Sequence, residues 1–270
     1  MSATEMPGSP PEAADADLRL VLPAHSVSAG QGIAWIGQGW KLFARSPVMW
    51  IIALVILFII AVAMALVPII GSLVFQVLNP VFSAGFIVAC RSMERGGEFE
   101  LEHLFAGFKR NFGRLATVGA IFLALGVALL MVFAMFFGFS IVAAFLTGDP
   151  EQAMAAVAAS SLTLALGVLV TLALFIPVLM AYWFAPALVV MHDMAPVAAM
   201  KASLAGCVRN IIPLVLWGLV MGLVMIVASI PLGLGLLVAV PMMIASSYAA
   251  YRDIFTEDAA PPAPRPVMVG

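Results

Sequence analysis

Long apolar runs alternate with short polar connections along this chain of 270 residues. A run of about 20 apolar residues forms a helix long enough to cross the roughly 30 Å hydrocarbon layer of a bilayer. Such runs lie at 48–67, 70–90, 115–146, 154–190, 211–230 and 232–251. The pattern therefore predicts an all-α, polytopic membrane protein whose six transmembrane helices form three hairpins.

The third and fourth runs are longer than a bilayer requires. As a helix, the third run would extend about 48 Å at a rise of about 1.5 Å per residue. Asp149, Pro150 and Glu151 combine a capping residue, a first-turn proline and an acid, so the fourth helix is expected to begin there. Pro177 and Pro186 interrupt the fourth run, which predicts a kink at one or both prolines.

Lysine and arginine occupy only alternate connections. The basic residues on one side are Arg19, Lys41, Arg45, Arg91, Arg95, Lys109, Arg110, Arg114, Lys201, Arg209, Arg252 and Arg265. The opposite side carries no cation, and its charges are Asp149 and Glu151. Because basic connections stay in the cytoplasm, we expect a multi-pass protein of the bacterial cytoplasmic (inner) membrane with both termini in the cytoplasm.

A first amphipathic helix is predicted directly before the first span. Its apolar face comprises Ile33, Ile36, Trp40 and Phe43, and Ser28 with Gln31 forms a plausible capping box at its start. The helix should lie in the cytoplasmic interface, with its rings at headgroup depth and its cations near anionic phosphates. The residues expected there are Trp35, Trp40, Lys41, Arg45 and Trp50.

The end of this segment is repeated twice. Arg45-Ser46 matches Arg110-Asn111 and Arg209-Asn210, and each pair precedes an apolar run. The small polar residue can cap the next helix, so we expect three units of cytoplasmic interfacial helix plus hairpin. The alternative is that basic, small-residue collars are common to membrane helices and align through composition alone. Further interface residues on this interpretation are Lys109, Arg110, Trp183 and Arg209.

Composition narrows the class of protein. The chain is 64% hydrophobic and only 10% charged, whereas a globular domain is roughly a quarter charged. Because a soluble domain could not cover so much apolar surface, we expect residues 28–255 to form a transmembrane domain. The flanking segments 1–27 and 256–270 are predicted to be disordered tails. No basic region precedes an apolar stretch near the N-terminus, so no cleavable signal peptide is expected.

Two short motifs carry a family resemblance. Gly39, Trp40, Leu42, Phe43 and Pro47 form a GW-x-LF-x-x-x-P motif, and Ala-Tyr-Arg-Asp-Ile-Phe occupies 250–255. The chain from about 28 to 255 resembles a family of uncharacterised proteobacterial six-helix inner-membrane proteins. More distantly, it resembles the membrane region attached to some bacterial glycerophosphodiester phosphodiesterases. These resemblances imply a topology and no active site, because the phosphodiesterase catalytic domain is missing from this sequence.

Polar side chains are few inside the runs. None of the six contains an ionisable residue, which argues against proton-coupled or ion-coupled transport. Gln76 and Asn79 share a helix face, and Pro80 frees a backbone carbonyl one turn earlier. The pair either contacts a substrate or hydrogen-bonds a neighbouring helix. Gly218 and Gly222 form a GxxxG motif, for which internal helix packing is favoured over dimerisation.

The remaining reactive side chains form no enzyme motif. His103 and His192 lack HExxH or ExxH spacing, so we expect solvated loop residues and no metal site. Cys90 and Cys207 lack CxxC spacing and are expected to be reduced and structural. The sequence contains no phosphate-binding loop or Ser-His-Asp set, so no cofactor is expected. Basic residues mixed with glutamates argue against nucleic-acid binding.

These observations favour a non-enzymatic integral protein of the inner membrane that is structural or that binds a partner or lipids. Membrane lipids with anionic headgroups at the cytoplasmic face are the expected partners. The alternative is a transporter of small molecules or lipids, supported by the repeats, the proline-broken helices and the Gln76/Asn79 pair. The hypotheses differ in one feature, because a transporter needs a polar cavity near the membrane midplane and a structural module is packed closed there.

Overall fold

The computed structural model describes residues 18–145, 151 and 161–258, and this part of the chain is almost entirely α-helical. The helices are α1 (Gln31–Arg45), α2 (Pro47–Ala65), α3 (Ile70–Glu94), α4 (Ala106–Lys109), α5 (Phe112–Phe145), α6 (Ser161–Trp183), α7 (Ala185–His192), α8 (Pro196–Arg209), α9 (Ile211–Ser229) and α10 (Leu236–Phe255). A 3-10 helix (Leu101–Phe105) precedes α4, and β1 (Leu18–Leu20) pairs with β2 (Thr256–Asp258). The predicted all-α class is confirmed. The predicted helix start at Asp149 and Pro150 lies outside the described residues, as do segments 1–17 and 259–270.

Among the described residues, five helices are long and apolar enough to cross a membrane. They are Pro47–Ala65, Ile70–Glu94, Phe112–Phe136, Ser161–His192 and Ile211–Ser229. The sixth predicted run does form a helix, α10, which is long enough but is not among these five apolar helices. Its second half carries polar residues such as Ser246 and Tyr248, which are buried against other helices. A helix surrounded by protein does not need an apolar residue on every side.

Helix α1 packs against α9 and α10 instead of lying alone at the protein surface. Its buried residues are Gly32, Trp35, Gly39 and Phe43. Ile33 and Trp40, which belong to the predicted apolar face, are 56% and 50% exposed. Of the predicted apolar face, Phe43 is therefore buried against the other helices, and contact of Ile33 and Trp40 with lipid stays a prediction.

Two glycines explain which face of α1 is buried. A Cβ at Gly32 would lie 2.1 Å from the Pro213 carbonyl oxygen of α9. A Cβ at Gly39 would lie 2.7 Å from the Ser246 backbone nitrogen of α10. Glycine thus permits backbone contact on both sides, a signal that a pattern of large apolar residues does not contain. The predicted capping box is also wrong, because Gly30 precedes the helix and the Gln31 amide binds elsewhere.

The segment before α1 folds onto the end of α10. Strand β1 pairs antiparallel with β2, and the Val21 N–H donates a 2.8 Å hydrogen bond to the Phe255 carbonyl oxygen. The segments predicted to be disordered tails were therefore drawn too long. Residues 18–27 and 256–258 are part of the folded structure. Backbone pairing between segments so far apart in the chain cannot be predicted from their composition.

All three repeated Arg and small-polar pairs lie directly before a helix, α2, α5 or α9. The side chains of Ser46 and Asn210, however, make no capping hydrogen bond. Asn210 is fully buried; its Nδ2 donates to the His25 carbonyl oxygen at 2.7 Å, and its Oδ1 accepts the Val27 N–H at 2.9 Å. The predicted positions are right, but the predicted capping role is wrong for these two residues.

The largest fully buried side chains lie at the end of the helices that carries the basic connections. They include Trp35, Trp50, Met93, Leu104, Leu115, Tyr248, Tyr251 and Phe255. At the far end, Leu66 is 79% exposed and Leu232 is 96% exposed. Soluble proteins rarely expose contiguous apolar surface of this kind. The fold therefore has a packed basic end and an apolar outer surface suited to lipid.

Candidate functional site

A cavity of about 320 Å³ lies between α3, the α6–α7 segment and α10. Its lining includes Asn79, Phe82, Ser83, Phe86 and Ile87 from α3, Leu179, Tyr182, Trp183, Phe184 and Pro186 from the α6–α7 segment, and Val240, Met243, Ser247, Tyr248 and Tyr251 from α10. The volume falls in the range of roughly 300–1,000 Å³ that is usual for small-molecule sites. The cavity is therefore large enough for a ligand.

A helix break at Phe184 and Pro186 lies in the wall of this cavity. Pro80 lies inside α3, and Pro177 lies inside α6. Helix α6 ends at Trp183, and α7 begins after Phe184 with a proline in its first turn. The predicted interruption of the fourth run is thus found at Phe184, directly before the Pro186 turn. Pro186 suits the start of a new helix, because a first-turn residue needs no backbone donor.

Asn79 is one of the polar residues with which α3 lines the cavity. The Tyr182 hydroxyl of α6 donates a 2.7 Å hydrogen bond to Asn79 Oδ1, and both residues line the cavity. Gln76, which was predicted to act with Asn79, is half-buried and lies outside the lining. The structure therefore separates the predicted pair. Asn79 bonds a neighbouring helix and also faces a space that a ligand can enter.

The cavity walls are aromatic, and the lining residues carry no formal charge. The rings belong to Phe82, Phe86, Tyr182, Trp183, Phe184, Tyr248 and Tyr251. The polar lining residues include Asn79, Ser83 and Ser247. A site of this kind suits an uncharged molecule with a hydrocarbon or flat body, since an ion would lose its hydration without gaining a counter-ion.

A charged network adjoins the cavity at the basic end of the helices. The Tyr248 hydroxyl donates a 2.6 Å hydrogen bond to Glu94 Oε2. Glu94 also forms ion pairs with Arg252 of α10 and, at 3.0 Å, with Arg91 of its own helix. The network thus joins α3 to α10 through a residue that lines the cavity.

Helix α1 joins the same network. Arg252 Nη2 donates to Gln38 Oε1 at 2.7 Å. Asp253 Oδ2 accepts hydrogen bonds from Gln31 Nε2 at 2.8 Å and from Trp35 Nε1 at 2.9 Å. The sequence showed the Tyr-Arg-Asp motif of α10, but its partners lie about 160 to 220 residues earlier in the chain, so their roles could not be predicted.

Both histidines near the membrane ends make specific contacts. His192 Nε2 lies 2.6 Å from the hydroxyl of the cavity residue Tyr251. His103 Nδ1 accepts the Glu100 N–H at 3.1 Å. Burial lowers the pKa of His103, and the nearby carboxylates of Glu100 and Glu102 oppose this effect. The prediction of freely solvated loop residues is therefore wrong for both histidines.

Two of the predicted interface tryptophans are core residues. Trp35 and Trp50 have no exposed surface. Trp50 stacks on Phe86 of α3, with ring centroids 5.6 Å apart and planes at 3°. Residues enclosed in this way cannot touch lipid headgroups, so the interface prediction is wrong for Trp35 and Trp50.

The cations predicted to lie at the membrane interface are all exposed. They are Lys41, Arg45, Lys109, Arg110 and Arg209. Arg45 bonds the Met93 carbonyl oxygen, and Lys109 forms a 3.2 Å ion pair with Glu102. Trp40 is also exposed, whereas Trp183 is half-buried in the cavity wall. Lipid contact by the exposed residues stays a prediction.

The GxxxG motif of α9 does not pack inside the protein. A Cβ at Gly218 or Gly222 would meet nothing within 4 Å. Helix α9 instead buries Pro213, Trp217 and Met221. The favoured interpretation of this motif as internal packing is therefore wrong.

Both cysteines are buried. Cys207 Sγ donates to the Met180 carbonyl oxygen at 3.5 Å. Burial raises the pKa of Cys207 to about 12. Its thiol is therefore protonated near neutral pH, and a protonated thiol is a poor nucleophile.

A comparison with known proteins gives the family. A protein of Burkholderia thailandensis named "Probable inner membrane protein" is 30% identical to this chain over 262 aligned residues, covering 88% of this chain and 96% of the relative. No protein-family model and no solved structure matches the chain. The relative's name gives no support to the resemblance to glycerophosphodiester phosphodiesterase membrane regions. The name of the relative agrees with the helices of this fold that are long and apolar enough to cross a membrane. The chain belongs to the family of this inner membrane protein of Burkholderia thailandensis.

Proposed function

We propose that the protein is a non-enzymatic, lipid-interacting protein of the bacterial inner membrane that holds one uncharged amphiphile in its cavity. The observation that carries this proposal is the uncharged aromatic lining around the Asn79–Tyr182 hydrogen bond. The hydrocarbon body of the ligand packs against the rings, and its polar group meets Asn79 and the serine hydroxyls. Because Asn79 Oδ1 accepts the Tyr182 hydroxyl, its Nδ2 group is the one that can donate to a ligand oxygen.

The proposal includes six membrane crossings in three hairpins, preceded by interfacial helices α1, α4 and α8. The β1–β2 pairing supports this count, because it holds Leu18 beside Asp258 and so keeps the two ends of the described chain on one side of the membrane. An odd number of crossings would separate them. Helix α10 is then the sixth crossing, and the basic residues at that end indicate the cytoplasm.

Exposed cations support contact with anionic lipid headgroups at the same end. Lys41 on α1 and Arg209 at the end of α8 are both exposed. A basic side chain near an anionic membrane surface contributes about 1 kcal/mol. These contacts would orient the protein and leave the uncharged cavity for the bound amphiphile.

Native mass spectrometry of the protein extracted from its own membrane tests the proposal. The wild type should retain one uncharged lipid, and Asn79→Leu should lose most of it. Gln76→Leu is the matched control, because Gln76 lies one turn earlier on α3 and outside the lining. Equal retention by the three proteins, or a wild type with only anionic lipids bound, would contradict the proposal.

Translocation of the same class of molecule is a second candidate function. It is supported by the broken α6–α7 segment, which places an interrupted helix beside the cavity. Vesicles containing the purified protein and a fluorescent diacylglycerol in one leaflet would distinguish the two functions. A translocating protein accelerates exchange of this probe between leaflets, whereas a binding protein leaves that rate unchanged.

A further inference from the structure

A second apolar space lies on the other side of the cavity wall. It is a groove of about 280 Å³ between α6, α8 and α9, and its walls include Ile176, Met180, Ile211, Val215 and Trp217. Leu179 and Trp183 line both this groove and the central cavity. These two side chains therefore form the partition between the two spaces.

The partition lies at the end of α6, where hydrogen bonds with α8 fix the backbone. Helix α6 ends at Trp183, and the next N–H group, that of Phe184, donates to Ser203 Oγ of α8 at 3.0 Å. Ser203 is fully buried and donates in turn to the Met180 carbonyl oxygen at 2.6 Å. Helix α8 thus holds the backbone at the break.

The Trp183 ring closes the partition against a second tryptophan. The Trp183 and Trp217 rings meet edge to face, with centroids 5.4 Å apart and planes at 78°. Trp217 is held by a 2.9 Å hydrogen bond from Nε1 to Ser246 Oγ. Rotation of Trp183 away from the fixed Trp217 ring would join the groove to the cavity.

We propose that the groove is the lateral entrance to the cavity and that Trp183 is the side chain that closes it. This inference rests on the proposed function, because it supplies the route by which the uncharged amphiphile arrives. The occupant of the groove is the hydrocarbon part of that molecule, entering from the bilayer.

Two observations identify this occupant. The groove walls on α6 and α9 belong to helices apolar enough to cross a membrane, and its rim residues Ile176 and Val215 are 55% and 52% exposed. The groove therefore opens where hydrocarbon surrounds the protein. It also shares Leu179 and Trp183 with the cavity as a common wall, so a chain that fills the groove lies against the partition.

Uptake kinetics of a defined probe test the inference. Full-length protein in lipid nanodiscs is mixed with vesicles that carry a diacylglycerol with a fluorescent acyl chain, and the rate of uptake is followed. Val215→Trp fills the groove and should slow uptake about tenfold with little change in equilibrium binding. Trp183→Ala removes the ring contact and should accelerate uptake about fivefold; release should accelerate more than this, because the ring also lines the cavity. Leu219→Trp is the control, since Leu219 is 66% exposed one turn along α9 and outside the groove.

The outcomes separate the entrance from the function it serves. If wild-type protein binds the probe and both groove variants match its rates, the lateral entrance is wrong and the cavity proposal stands. If wild-type protein binds no probe, the proposed function fails and the entrance fails with it. Slowing by Leu219→Trp as large as that by Val215→Trp would also overturn the entrance, because the effect would not depend on the groove.

Discussion

Arg252 of α10 and Glu94 of α3 form an ion pair at the point where three helices meet. The Tyr248 hydroxyl binds the same carboxylate, and Arg252 reaches Gln38 of α1. The two charged side chains are 31% and 23% exposed, so water shields them only in part. This junction fixes the position of the cavity wall relative to α1 and α3.

Glu94→Gln should lower the free energy of unfolding by about 2 kcal/mol, because it leaves Arg252 without its main counter-charge and partial exposure moderates the penalty. Chemical unfolding in detergent, followed by tryptophan fluorescence, measures the change. Lys109→Met is the control, since the Lys109–Glu102 pair is 67% and 79% exposed and should contribute less than about 0.5 kcal/mol. Equal losses in the two variants would show that the junction is not a special contact.

The two tryptophans of α1, Trp35 and Trp40, should differ sharply in their contribution to the free energy of unfolding. Trp35→Ala removes a fully buried ring and its hydrogen bond to Asp253, so it should cost about 3–5 kcal/mol. Trp40→Ala acts on a ring that is 50% exposed and should cost about 1 kcal/mol or less. The same unfolding assay decides between them, and similar losses would contradict the assignment of Trp35 to the core.

The contrast between these tryptophans also shows how far the sequence could be interpreted. Apolar runs predict where the helices lie, because the bilayer sets a minimum length for each one. The face that α1 buries depends on contacts of Gly32 and Gly39 with distant helices, and no local pattern of large apolar residues records these contacts. A prediction based on aromatic residues and cations therefore assigned both Trp35 and Trp40 to the membrane interface.

The sequence allowed one cavity residue to be predicted, but not the arrangement of the helices that form the cavity. Asn79 stood out because amides are rare in an apolar run, and it does line the cavity. Its aromatic surroundings come from three separate segments and from the break at Phe184, where the backbone N–H bonds Ser203. Tertiary contacts of this kind leave no spacing signature in the chain. Glu94 and Arg252 were visible as charges, but their pairing across 158 positions was not.

Asn210→Ala should release the segment before α1. The variant loses the hydrogen bonds to the backbone of His25 and Val27 and leaves buried backbone groups unpaired, at a cost of about 1–3 kcal/mol. Limited proteolysis should cut the N-terminal segment faster than in the wild type. Ser46→Ala removes the equivalent residue before α2, whose side chain makes no capping bond, and should leave proteolysis unchanged. Unaltered cleavage of the Asn210 variant would argue against the tether.

His103 should make the stability of the protein depend on pH below about 6.5. Burial lowers its pKa in the folded state, so the unfolded chain binds a proton more readily. Stability is therefore complete above the unfolded pKa and falls as pH decreases towards the folded pKa. Protonation also turns Nδ1 into a donor, which removes the bond it accepts from Glu100. Between about pH 7.5 and pH 5, the wild type should lose more thermal stability than His103→Gln, and parallel curves would exclude this role.

Helix α10 as the sixth crossing predicts a labelling pattern for three single cysteines. In intact cells, a membrane-impermeant maleimide should label Leu232→Cys, because Leu232 lies in the turn between α9 and α10 and is 96% exposed. Glu257→Cys and Lys201→Cys should react only after permeabilisation. Cys90 and Cys207 are buried, so they should give little background. Labelling of Glu257→Cys from outside would leave five crossings, whereas labelling of Lys201→Cys would reverse the orientation. Because β1 and β2 pair, a five-crossing result would contradict that pairing as well as the sixth crossing, and this one experiment tests both the count and the sidedness.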